Sequence, residues 1–235
     1  MVGTLLSLFT TIAQASDVKV LGNESMPYCG LVEGKPAGLA VDMLNAATRE
    51  GAPRFEFDFT IPWTRAQLLV HEQPTLAIIP FTRTAEREKN YKWIADLFSF
   101  TNRVVTVGRA TPLKTIEEAV DLETGILNGS AFVPIATELG FKKLRFVTTD
   151  LINAKKLAAG HLDAWIISQY QERYLYAQVG GDPAKLQMGP ALGETRHIYI
   201  AADLKFPDAE AKAIYDAVER LRAKGELEKI LQTYR

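Results

Sequence analysis

The sequence contains a single cysteine, three histidines and no stretch apolar enough, for long enough, to span a bilayer. With Cys29 alone, no internal disulfide can form in any compartment. No histidine lies near it in sequence, so Cys29 is expected to be a small loop residue and not a catalytic thiol. His71, His161 and His197 are too far apart to share a metal at the usual ligand spacings. Each is expected to be a surface or internally satisfied side chain, and no metal site is assigned. An excess of charge is also missing: 27 basic residues face 28 acidic ones. That balance leaves no basic footprint for nucleic acid, and no basic amphipathic stretch suggests a membrane surface. The chain has no Gly-x-Ser-x-Gly elbow, no Walker loop and no dinucleotide fingerprint. Neither a cofactor nor a catalytic residue is therefore assigned. Finally, there is no internal repeat and no long Pro/Ser-rich linker.

What remains is 235 residues, 47% of them apolar, enough for one large domain or two small ones. At the start, Leu5 to Ile12 form a short apolar run, followed by Ala13-Gln14-Ala15 and the polar Ser16-Asp17. This reads as the hydrophobic region and small-x-small cleavage site of an export signal over residues 1–15. The positively charged residues that should precede it are missing, which points to a truncated or misassigned start.

From there strand and helix patterns alternate. Val18–Leu21, Phe55–Phe59 and Leu76–Ile79 read as strands, and Val41–Arg49 and Trp63–Val70 as helices. Thr84 is expected to cap a short helix through Lys89. A second block begins near Thr101, with strands expected at Arg103–Gly108, Gly125–Leu127, Leu144–Val147 and Ala164–Ile167. Between them, a helical turn is expected at Ile116–Val120 and helices up to Leu139 and over Asn153–Ala159. After Gly189-Pro190, His197–Ala201 alternates as a strand. Helices over Asp208–Ala223 and Leu227–Tyr234 close the chain. The pattern is α/β with parallel sheets. Two such lobes without a linker imply short strand crossings between them. The last helices are expected to return to the first lobe. The expected division is residues 16–100 with 198–235 in lobe 1, and residues 101–197 in lobe 2.

Several segments, in order, resemble the bacterial extracellular solute-binding proteins of family 3. They are Gly38-Leu39-Ala40-Val41-Asp42-Met43, Pro62-Trp63, Thr82-Arg83-Thr84-Ala85-Glu86-Arg87, Asn128-Gly129-Ser130 and Gly160-His161-Leu162-Asp163-Ala164. The resemblance implies a periplasmic binding protein of the type II fold. Its two lobes, each a mostly parallel sheet flanked by helices, would hinge on two strand crossings. It further implies a monomer in the periplasm that binds a carboxylate-bearing, amino acid-like solute and delivers it to an inner-membrane ABC permease.

Onto this chain the resemblance carries a set of ligand contacts. Arg87 takes the position that holds a ligand α-carboxylate, assisted by Thr82. The residues themselves support this, because arginines at a helix start oppose its dipole unless an anion binds there. Trp63, Phe81 and Tyr28, with Pro80 beside them, are expected to line the cleft. Ser130 would contribute from the second lobe, although Pro134 suggests a delayed helix start that leaves it in a longer loop. Ser168 departs from the pattern, since amino acid-binding relatives carry an aspartate there. Either Glu24 or Glu172 replaces that charge, or the ligand lacks an α-ammonium. Arg65 and Arg83 leave two alternatives: a second anionic group on the ligand, or salt bridges to Glu24 or Asp96. Salt bridges are favoured, because surface arginines usually need no ligand. Two other functions fit the same scaffold: a dehydratase-like enzyme using Glu24, Glu172 or Glu194, and a ligand-sensing module.

Overall fold

A computed structural model describes residues 17–130 and 132–234; the proposed export signal lies outside them. The first segment is strand β1 (Val18–Leu21), followed by the hairpin β2 (Gly30–Val32) and β3 (Lys35–Ala37). Helix α1 (Leu39–Arg49), strand β4 (Phe55–Asp58), helix α2 (Trp63–Glu72) and strand β5 (Ala77–Thr82) follow. Then comes β6 (Lys92–Val107), a single strand of 16 residues. The next block is β7 (Thr124–Leu127), α3 (Phe132–Glu138), β8 (Leu144–Val147), α4 (Asp150–Ala158), β9 (Ala164–Ser168) and α5 (Gln171–Gln178). A second long strand, β10 (Leu186–Ala202), precedes α6 (Asp208–Ala223) and α7 (Glu226–Gln232).

Eight strands form one curled sheet in the order β4-β1-β5-β10-β6-β9-β7-β8. At one end β1 runs parallel to β4 and β5; at the other, β7 runs parallel to β8 and β9. Antiparallel pairing of β10 with β5, of β10 with β6, and of β6 with β9 completes it. Each lobe is thus mostly parallel, with only β10 reversed in the first and only β6 in the second.

The apolar residues separate accordingly. One pair of clusters gathers side chains from β1, α1, α2, β5, the first half of β6, the end of β10 and α6–α7. The other pair gathers Val104, Val105, Leu113, Ile126, Trp165, Ile166, Leu186 and Leu192 with their neighbours. Each fully buried aliphatic side chain contributes roughly 1.5–3 kcal/mol, so each lobe has its own driving force for folding. Among the described residues only Tyr170 crosses, leaving the second block to join the first core.

Sequence patterning missed the length of β6 and β10, for which only Arg103–Gly108 and His197–Ala201 were expected. Gly189 and Pro190 read as a break, yet β10 runs through them because its register shifts between Met188 and Ala191. A proline without a ladder donor is accommodated at such a bulge. A second shift lies between Leu192 and Arg196, so Gly193, Glu194 and Thr195 bulge opposite Thr101. Helix α5 had no expected counterpart. Two helical expectations fail: residues 85–90 and 117–121 form turns and not helix.

The Gly38 segment has a clear physical cause. Gly38 has φ 115°, and a Cβ there would lie 2.9 Å from Cys29 Cα and from the Pro27 and Tyr28 carbonyl oxygens. Those carbonyls accept from Leu39 and Ala40 N–H at 2.8 Å, holding the start of α1 against the loop. Leu39, Ala40, Val41, Met43, Leu44, Ala46 and Ala47 then face the core. Gly38→Ala is expected to destabilise the protein by about 2 kcal/mol or more, from backbone strain and the clash together. Urea denaturation checks this; an unchanged midpoint would show that the loop yields freely.

Candidate functional site

Parallel strands deliver their carboxyl ends to one edge of a sheet, where loops rather than helices leave polar groups available. Here the loops after β1 and β5 bring lobe 1 residues to the junction, and those after β7, β8 and β9 bring lobe 2 residues. Among the hollows between the lobes, one of about 300 Å³ is bordered by Pro27, Tyr170, Tyr174 and Tyr234, and two others exceed it. The larger, about 630 Å³, is lined by Arg83, Thr84 and Ala85 after β5, by Ile135 on α3, and by the bulged segment Gly193–His197 with Tyr199. The other, about 480 Å³, lies between Glu24–Met26 of lobe 1 and Leu127, Thr148–Leu151, Gln171 and Tyr174 of lobe 2. The first wall carries Arg83, Arg196 and His197 beside the single acid Glu194; the second carries Glu24 and Asp150 and no cation. Arg196 had no assigned role in the sequence; the only hint was the Gly-Glu-Thr run before it, which the long β10 absorbs as a bulge.

The segment after β5 differs from the capped helix expected at Thr84. Arg87 N–H donates to Thr84 carbonyl (3.1 Å) and Asn90 N–H to Arg87 carbonyl (3.0 Å), giving successive turns. No helix dipole therefore acts on these arginines, and the charge argument for an anion at a helix start does not hold here. Pairing supplies a different argument. Arg83 grips Glu88 with two bonds, Nε to Oε2 at 2.8 Å and Nη2 to Oε1 at 2.5 Å. Arg65 pairs with Glu72 at 3.1 Å. Both are thus salt-bridged, but to near neighbours and not to Glu24 or Asp96; Asp96 instead meets His197 at 2.7 Å. Arg87 alone of the three has no ion pair among the described residues. Its guanidinium lies 4.3 Å over the Phe81 ring, and Nη1 donates to the Thr82 carbonyl at 3.1 Å. Burial lowers its pKa from the ordinary arginine value, yet a guanidinium remains charged. Arg87 lines a separate hollow of about 470 Å³ with Gln67, His71, Asn90 and Tyr91, so the structure does not bring it onto the wall shared with Arg83.

The aromatic residues expected in the lining are mostly core. Phe81 is wholly buried, packed on Trp63, Tyr91 and Trp93 at ring separations of 4.6–5.8 Å. Tyr28 is buried against Phe98 and Phe100. Neither presents a ring face to a solute in this arrangement. Trp63, the first residue of α2, is half-buried, as are Pro80 and Thr82 at the end of β5. Ser130 is not left in a long loop: α3 begins at Phe132, whose N–H bonds Ser130 Oγ at 3.2 Å, and Pro134 fits the first helical turn. Ser168 Oγ donates to Asn102 Oδ1 at 2.9 Å.

Of the two acids that could replace the missing charge at Ser168, Glu24 is exposed and lines the second hollow. Glu172 is only 4% exposed, and its Oε2 has no hydrogen-bond partner. Burial, partly offset by its own backbone N–H, Arg173 and Arg103, raises its pKa from 4.5 to about 7.

Two lobes with separate cores, one continuous sheet and two crossing strands make up the type II fold of periplasmic binding proteins. No protein-family model and no curated protein matches the chain. Solved structures do. Substrate-binding domain 2 of Lactococcus lactis GlnP, in an open conformation, is 18% identical at TM-score 0.76, over 94% of this chain and 97% of that one. An ancestral cationic amino acid solute-binding protein is 16% identical at TM-score 0.78, over 93% and 95%. A histidine kinase sensor domain is 17% identical at TM-score 0.70, over 94% and 96%. At these identities the likeness concerns the fold.

Glu172 gives a pH test. Its folded pKa lies above its unfolded one, so the folded state holds this proton more tightly. Stability should therefore fall as pH rises from about 4.5 to 7, by up to about 3 kcal/mol from this group. Glu172→Gln should flatten that fall when denaturation is followed across the range. An unchanged pH slope would mean that the carboxyl is already ionised in the folded protein.

Proposed function

We propose that this protein is an exported solute-binding protein of the family 3 type. It closes around a small, polar, carboxylate-bearing ligand and delivers it to a membrane transporter. The observation that carries this reading is the architecture: two independently packed lobes joined by β6 and β10, with the pairing shifted where they meet. We place the lobes at residues 16–100 with 198–235, and at 101–197. Among the described residues no helix is long and apolar enough to cross a membrane, which suits a protein released into the periplasm. The binding roles named for the similar solved proteins support the same class of activity. The sensor-domain likeness supports a second outlet, in which capture is reported to a receptor instead of a permease.

Arg87 is the proposed carboxylate anchor, because among the described residues it has no ion pair while Arg65 and Arg83 do. Closure of the lobes would bring Thr82 and Trp63 toward Ser130 and Ser168, and Arg87 would swing from its own lobe 1 hollow to meet them. A planar guanidinium preset on Phe81 suits bidentate capture. The ligand's other end is constrained by what is absent. Ser168 offers a hydroxyl already bonded to Asn102, and Glu172 is buried and part-protonated near neutral pH. An α-ammonium would find no acid at that position, so the preferred ligand is a carboxylate without one.

A thermal-shift screen should compare common amino acids, their deaminated and N-acylated analogues, and small dicarboxylates. The largest stabilisation is expected from compounds lacking the α-ammonium; strong stabilisation by an ordinary amino acid alone would contradict this. For the best compound, Arg87→Ala should cost about 2–5 kcal/mol in calorimetric affinity. Wild-type affinity in that variant would remove Arg87 as the anchor.

A further inference from the structure

The turn after β9 is tied to both the crossing strand and the opposite lobe. Ser168 Oγ bonds Asn102, and Gln169 N–H donates to the Thr101 carbonyl at 3.0 Å, so the turn sits against β6 where its partner bulges. From lobe 1, Tyr28 Oη donates to the Gln169 carbonyl at 2.8 Å. Gln171 Nε2 reaches back to Ser25 Oγ (3.4 Å) and the Met26 carbonyl (3.5 Å). Between these contacts, Tyr170 has φ 76°, a left-handed conformation that a bulky residue adopts only when its surroundings over-determine it. Tyr170 is 3% exposed, and its ring stands edge-on to Phe98 at 6.3 Å, inside the core of the lobe it does not belong to by sequence.

We propose that Ser168–Gln171 is a bearing, in which Tyr170 and Tyr28 act as positioning residues that confine the lobes to rotation about β6 and β10. Its location decides between a bearing and a lock. The contacts gather beside Thr101, next to the axis, where a rotation displaces atoms least. They can therefore persist while the walls at Arg83 and Ile135 approach. Two strands alone would permit twist as well as bend. A third point of attachment off the strand pair removes the twist. The strained backbone at Tyr170 is what turns its ring out of lobe 2 and into lobe 1.

The inference deepens the proposed function, but its test uses unliganded protein, so failure of one is distinguishable from failure of the other. Spin labels at Lys35→Cys and Lys155→Cys, both exposed positions on opposite lobes, in a Cys29→Ser background, report the inter-lobe distance distribution. A narrow distribution is expected for the parent. Tyr28→Phe, losing one hydrogen bond, should broaden it, and Tyr170→Ala should broaden it most. If about one orientation in five then remains competent to close, the apparent Kd for a ligand from the screen rises about fivefold. Parent-like widths in Tyr28→Phe and in folded Tyr170→Ala would overturn the bearing. If Tyr170→Ala does not fold, the width in Tyr28→Phe decides alone.

Discussion

The pairing of β6 with β10 is the constraint on which the rest of the molecule depends. At roughly 3.3 Å per residue, strands of 16 and 17 residues extend about 50 Å, enough to run through both lobes. They give each lobe its central strands, so neither core closes without them. Their register shifts between Met188 and Ala191, Leu192 and Arg196, Ile198 and Tyr199, and Ile200 and Ala201, and the longest unpaired run, Gly193–Thr195, lies opposite Thr101. The widest interruption of the pairing falls where the lobes meet, which is where the proposed bending is placed. The larger inter-lobe hollow lies at that place and is lined by the bulge itself.

Charge pairing then sorts the polar residues around this junction. His197 with Asp96, Arg83 with Glu88 and Arg65 with Glu72 are local pairs, largely exposed and worth little individually. The two arginine pairs take Arg83 and Arg65 out of the set free to meet a ligand. Arg87, braced on Phe81, and Arg196, 5.2 Å over the Phe132 ring, have no ion pair among the described residues. On the second lobe the position expected to carry an acid is a serine engaged with Asn102. The proposed ligand, a carboxylate that lacks an α-ammonium, rests on that serine standing where an acid was expected and on Arg87 having no ion pair among the described residues. Arg87 opens to a hollow of its own and not to the inter-lobe wall.

Much of the fold was legible in the sequence because its elements are locally determined. Residues 208–223 carry a helical period bounded by Pro207 and Gly225, and they form α6 over that span. The apolar run at 76–79 leads into the buried strand Ala77–Thr82, and Gly38 marks a backbone position where a Cβ would clash. The long strands were only half legible, since Pro190 and Gly193 signal breaks that tertiary pairing absorbs as bulges. The site was less legible still. Phe81 and Tyr28 are aromatic residues near the right loops, but burial is a property of the packed structure. Whether an arginine is free depends on which acid lies beside it, and Glu88 and Glu72 were not identified as those acids. The role of Tyr170 rests on a positive φ and a contact between lobes, neither of which leaves a sequence pattern.

The central claim is that the two lobes rotate about the β6–β10 crossing to enclose a solute. Small-angle X-ray scattering, with and without a saturating ligand from the stability screen, measures this most directly. Closure predicts a smaller radius of gyration and a lost shoulder in the pair-distance distribution when ligand is present. An identical scattering curve, with binding confirmed by calorimetry in the same buffer, would contradict it.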